Sequence, residues 1–156
     1  MTAADFVSMR EFLGLPLGWV ARRAGVTVSA VQNWESGRYC VPPEVAAMLS
    51  ELERSVESII GPIASSISSL DPSDRPSQII LVRYINDSDL WRFRPDMSGL
   101  PATFHGAMLN RLQRLLWAAG VQTGIKYLEP KAYLAWLGSR QDSESMRSEW
   151  ALLPSS

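Results

Sequence analysis

Apolar positions along this chain change their spacing once, from helical to strand-like, after about residue 74. Phe6, Met9 and Leu13 recur three to four apart, with Thr2 where an N-cap belongs and Gly14 where a helix stops. Residues 2–13 therefore predict a first helix. Pro16 suits the first turn of a second helix running to Ala24, and a third spans Val28 to Glu35. Val41-Pro42-Pro43-Glu44 restarts the chain with Pro43 at a first helical position, and Val45, Leu49, Leu52, Val56 and Ile59 mark a long fourth helix. Gly61-Pro62 should kink or end it. Ile63, Ile67 and Leu70 carry the period on through serines, a seam that reads as core more often than as subunit contact. Asp71 to Pro76 reads as a linker.

Beyond it the residue types change. Ile79 to Ile85 is a nearly continuous β-branched run, which predicts a strand covered on both faces. Asn86-Asp87-Ser88-Asp89 predicts a turn, and Leu90 to Arg94 alternates, with Trp91 and Phe93 on one face and Arg92 and Arg94 on the other. Pro101 opens a helix to Ala119 along Phe104, Met108, Leu112 and Leu115; Gly120 caps it. Val121 to Leu128 predicts a third strand, and Pro130 to Leu137 a last short helix. The expected fold is α+β. An all-helical head with a long fourth helix occupies 1–74. A small α/β unit (strand, strand, helix, strand, helix) occupies 75–138. The polar tail 139–156 is expected to be disordered.

The segment Gly14–Gly37, GLPLGWVARRAGVTVSAVQNWESG, carries the most information. Ala21, Gly25 and Val31 sit at offsets that let two helices cross closely, and Gly25 can take the left-handed conformation that stops the first of them. Val20, Ala24, Val26, Val31 and Trp34 supply an inner apolar side, and Thr27 is placed to cap the second helix. Together these predict a helix-turn-helix whose second helix enters the DNA major groove. Down to the run Trp34-Glu35-Ser36-Gly37, the segment closely resembles the Cro/C1-type (XRE) repressor family, across residues 5–53. More loosely, a Cro-like head, a long fourth helix and a strand-containing remainder ending in an aromatic helix resemble the YdiL/anti-CRISPR-associated regulators, which are dimeric repressors, many carried by phages.

The resemblance implies site residues. Val28, Ser29, Gln32 and Asn33 match positions that face the groove. Gln and Asn pair bidentately with adenine, and Val28 suits a thymine methyl. Arg38 and Tyr39 match a phosphate-contacting loop; Arg22 and Arg23 are further phosphate candidates. Arg10 and Glu35 match a partly buried ion pair between the first and third helices. Leu17 departs from the pattern, because the family usually has a polar residue there that reaches the DNA backbone. Taken as ordinary residues, Gln32 and Asn33 would be solvated amides, and Arg10 and Glu35 unrelated surface charges.

Net charge, −1, does not advertise a nucleic-acid partner, but its distribution is uneven. Residues 1–74 carry five arginines against nine acids, whereas 75–137 carry eight basic residues against four acids. Between Gly14 and Tyr39, Arg22, Arg23 and Arg38 face Glu35 alone. The expected partners are double-stranded DNA, a two-fold operator by preference, and a second copy of the chain. Trp117, Tyr133 and Trp136 are the expected dimer contacts: Trp117 is a large aromatic on an otherwise polar helix face, and Tyr133 and Trp136, with Leu134 and Leu137, give a short helix more apolar surface than a peripheral element needs. If Arg92 and Arg94 gripped DNA instead, a monomer with two DNA-binding surfaces would result. An antitoxin, the same head fused to a toxin-blocking domain, is a further reading.

An enzyme is not expected. Asp87, Asp89, Asp96 and Glu129 offer carboxylates for a nuclease-like Mg²⁺ site, but Asn86–Asp89 is equally the composition of a turn. His105, the only histidine, stands at the edge of an apolar stripe; no phosphate loop, metal cluster or activated nucleophile is readable, so no cofactor and no metal is expected. The single cysteine, Cys40, excludes an internal disulfide and suits the cytoplasm. No apolar run reaches the ~20 residues of a membrane span.

Overall fold

Thr2 begins the first helix with a reciprocal cap. Its hydroxyl oxygen accepts from Asp5 N at 3.1 Å, and Asp5 Oδ2 accepts from Thr2 N at 3.0 Å. The computed structural model describes residues 1–154. Four helices follow in order: α1 (Ala3–Phe12), α2 (Leu17–Ala24), α3 (Val28–Glu35) and α4 (Pro43–Ser68). Phe6, Leu13, Leu15, Val20, Val31 and Leu49 are essentially inaccessible and form the core of this part. Phe6 meets Trp34 edge to face, 6.1 Å between ring centroids. α4 continues through Gly61-Pro62 rather than ending there, and its buried stripe closes on Ile60, not Ile59, which is 37% exposed.

The remainder is built on a two-stranded parallel sheet. β1 (Gln78–Arg83) pairs with β2 (Gln122–Tyr127) in the register Ile79↔Thr123 to Arg83↔Tyr127. Between the strands lie α5 (Asp87–Phe93), a single 3-10 turn at Pro95–Met97, and α6 (Ala102–Ala118); α7 (Pro130–Leu137) and α8 (Glu144–Leu152) follow β2. The fold is α+β, but Leu90 to Phe93 are helical and Arg94 is the cap that ends the helix, so the segment adds no strand. Asn86 caps α5 by accepting from Asp89 N at 2.8 Å, and Leu90 and Phe93, one helical turn apart, are buried.

Each face of the sheet meets its own helix. Arg83 lies against α6, where a Cβ on Gly106 would stand 2.6 Å from its Cζ and would displace the guanidinium. Lys126, one residue before the partner of Arg83 and hence on the opposite face, donates to Leu153 O at 3.1 Å beyond the end of α8. With two strands only, Ile79 to Val82 stay half-buried rather than covered on both faces, and Ile85 is 62% exposed. On α6 the buried stripe runs Phe104, Met108, Leu112, Leu116; Leu115 is 41% exposed.

The tail holds structure where disorder was expected. Ser143 caps α8, and Arg147, Trp150 and Ala151 are buried at helical spacing. Its last two residues lie outside the described ones. The chain divides into the compact units Met1–Ile60 and Gly61–Ser156, so the division falls inside α4 rather than at Asp71–Pro76. Arg75 explains the shift: its guanidinium donates to Ser68 O, Leu70 O and Ala119 O, tying the end of α4 and the expected linker to the end of α6.

Candidate nucleic-acid interface

The geometry of α3 starts from its cap. Gly25, at φ 68°, ends α2 in the left-handed region, and Val26 N returns to Ala21 O at 2.9 Å. Two residues later Thr27 accepts from Ala30 N at 3.2 Å and starts α3. Val26 alone separates the two caps. α3 then buries Val31 and Trp34 and exposes Val28, Ser29 and Gln32, which occupy one side at i, i+1 and i+4. A 42% exposed valine beside two polar residues, on a helix anchored by its other side, is suited to contacts in a groove.

Asn33 is placed differently from Gln32. It is half-buried, and its Oδ1 accepts from Arg38 Nη1 at 3.4 Å. Its main-chain oxygen also accepts from Tyr39 N and Ser36 Oγ. Asn33 therefore holds the loop after α3, with its amide nitrogen left for a base, while Gln32 is free to adapt. Arg38 and Tyr39 are exposed, Tyr39 by 62%; Arg22 and Arg23 are exposed in the last turn of α2. Leu17 is half-buried in the first turn of α2 and offers no donor from its side chain.

The structure brings Arg10 and Glu35 together. Arg10 Nε donates to Glu35 Oε1 at 2.7 Å, and Arg10 Nη1 to Leu15 O at 2.9 Å, with the two side chains 13% and 20% exposed. One guanidinium thus joins α1, the start of the α1–α2 loop's far end and the C-terminus of α3, which fixes the tilt of α3 against the rest of the head. Asp5 is fully exposed, and its hydrogen bonds with Thr2 hold its carboxyl below the usual range.

The expected dimer contacts fall into three environments. Tyr133 is fully buried: its ring packs edge-on against Phe93 and Trp150, and its hydroxyl donates to Asp142 Oδ1. It is core, not surface, because α8 covers it. Trp117 is 53% exposed, yet its indole N–H donates to Thr123 O at 3.0 Å, an oxygen that Gln113 Nε2 also reaches at 2.9 Å. Trp136 is half-buried, with Arg140 stacked 3.9 Å from its ring.

The other candidates have structural partners. Arg94, expected on a strand face, pairs with Asp96 and Glu144 with only 14% of its side chain exposed, so it presents no open DNA-binding face. Asp87 Oδ1 accepts from Ala102 N at 2.7 Å, and Asp89 bonds back to Asn86. Among the described residues, no group of three or more His, Cys, Asp or Glu is placed to hold a metal ion. His105 is buried beside Tyr84, 5.3 Å between rings, and burial, then the charges of Arg94 and Arg83, push its imidazole down to about 3. Cys40 is exposed and unbridged. Sequence reasoning assigned no role to Lys126 or Trp150; the readable signal was the helical spacing of Arg147, Trp150 and Ala151 within a polar run.

No protein-family model matches the chain, and a search of curated proteins finds no match. No helix among the described residues is long and apolar enough to cross a membrane.

Proposed function

We propose that this protein is a sequence-specific DNA-binding transcriptional regulator acting in the cytoplasm, a homodimeric repressor that reads the major groove with α3 and catalyses no reaction. One observation carries the reading: α3 is capped at Thr27 and anchored through Val31, Trp34 and the Arg10–Glu35 pair, while its opposite side leaves Val28, Ser29 and Gln32 exposed. Arg22, Arg23, Arg38 and Tyr39, exposed on the segments that flank α3, supply phosphate contacts. Asn33 contributes by holding Arg38 in place and by its remaining amide donor. Pairing of two chains uses the exposed arc of α6 that runs from Leu115 at one edge to Trp117 at the other; Trp136 lies on a different helix and Tyr133 takes no part.

Binding to duplex DNA as a function of salt tests it. Arg38→Ala should weaken binding to all sequences alike and reduce the log–log salt slope by about one. Duplex binding absent at low salt, or a slope identical in the variant, would contradict the assignment.

A further inference from the structure

The second unit contains a cavity of about 480 Å³ lined by Tyr127, Trp136 and Trp150, with Lys126, Glu129, Leu153 and Pro154 also on its wall. Its size falls within the ~300–1,000 Å³ of small-molecule sites. It lies at the carboxyl end of β2 and the start of α7, the end of a parallel sheet at which open α/β folds hold ligands.

The aromatic walls are held from behind. The buried Tyr133 ring stands 6.1 Å from Trp136 and 5.9 Å from Trp150, and its hydroxyl is fixed by Asp142, which in turn pairs with Arg147 at 2.5 Å. Arg140 covers a face of Trp136 and also donates to the Trp136 carbonyl oxygen. Two tryptophans locked in this way lose little freedom when a ring enters between or against them. The charges then set the chemistry. Lys126 Nζ donates to Ala151 O and Leu153 O and stands 4.9 Å from the centre of the Trp150 ring, which holds its charge beside that wall. Glu129 is exposed. Only Tyr127 and Leu128 separate the two in the chain, so their α-carbons lie within ~11 Å of each other.

We infer that this cavity binds a small aromatic zwitterion, an aromatic amino acid being the simplest: the ring packs on Trp136 beside Trp150, the carboxylate meets Lys126 and the ammonium meets Glu129. A molecule with only one of the charged groups forgoes the pairing at the other side chain. As the ligand of a regulator it would be an effector, but its binding is measured without DNA, so neither conclusion stands or falls with the other.

Calorimetric titration of the full chain with L-phenylalanine, L-tryptophan, phenylacetate and phenethylamine tests the inference. One of the two amino acids should bind at submillimolar concentration, and phenylacetate and phenethylamine about tenfold or more weakly than it. Trp136→Ala should weaken binding by at least as much. Glu129→Gln, at an exposed position, should weaken the amino acid while leaving phenylacetate unchanged or improved, and it serves even if Trp136→Ala fails to fold. No heat from either amino acid at millimolar concentration, equal binding of phenylacetate, or binding indifferent to Glu129→Gln would overturn the inference.

Discussion

Arg10 shows how much of the head's geometry can rest on one side chain. It serves Glu35 Oε1 and Leu15 O at once, both from a largely buried position. Arg10→Met removes both bonds and leaves the Glu35 carboxylate, 20% exposed, without its partner, so it should destabilise the head by about 1–3 kcal/mol. Glu35→Gln keeps an acceptor and should cost less, and Arg10→Met with Glu35→Leu should recover part of the loss. Urea unfolding of the three variants checks this; small, additive effects would mean the pair does not hold α3. His105 makes a pH prediction in the other unit. Its imidazole titrates at about 3 when folded and near 6.5 when unfolded, so below 6.5 the unfolded chain binds the extra proton. Stability should therefore fall as pH drops from about 6.5 to 5, by up to about 1.4 kcal/mol per pH unit, a window in which most carboxylates keep their charge. His105→Phe should flatten that slope in urea midpoints measured against pH; an unchanged slope would assign it to other groups.

At the scale of elements, capped helices with long apolar stripes were legible and short or polar ones were not. Thr2, Gly25 and Thr27 mark their helix ends because each residue type has one dominant role at that point in a helical pattern. Asn86-Asp87-Ser88-Asp89 is ambiguous, since the same residues that close a hairpin also cap a helix. Seven residues of α5 are too few to separate a period of 2 from one of 3.6. α8 was hidden by composition: its buried face includes Arg147, a charge that enters the core only because Asp142 pairs with it, and no local pattern announces that partner. The α3 face was readable because a helix-turn-helix fixes which side is anchored, whereas the burial of Tyr133 depends on α8 and could not be read from α7 alone. Trp150, 8% exposed, measures how firmly α8 belongs to the fold. Trp150→Ala should cost about 3–5 kcal/mol, the range for a large aromatic removed from a core, seen as a lowered urea midpoint. A loss below about 1 kcal/mol would mean α8 is peripheral.

For the whole molecule, the proposed pairing rests on α6. Trp117 cannot serve as a clean probe, because its indole N–H and Gln113 together occupy Thr123 O on β2 and block an oxygen on which another strand could build. Leu115, 41% exposed on the same helix, is the better choice. The full chain should have the mass of a dimer in solution, and Leu115→Glu the mass of a folded monomer with weakened operator binding. A monomeric wild-type chain would remove the dimer from the proposal and leave one head per site. That one head reads bases through α3 is the central claim, and selection of bound duplexes from a random-sequence library tests it most directly. The full chain should enrich a short motif, repeated with two-fold symmetry. Gln32→Ala should bind that motif about 1–3 kcal/mol more weakly and lose preference at one base pair in each half. Recovery of no motif, or of the same motif at the same affinity by Gln32→Ala and Asn33→Ala alike, would contradict it.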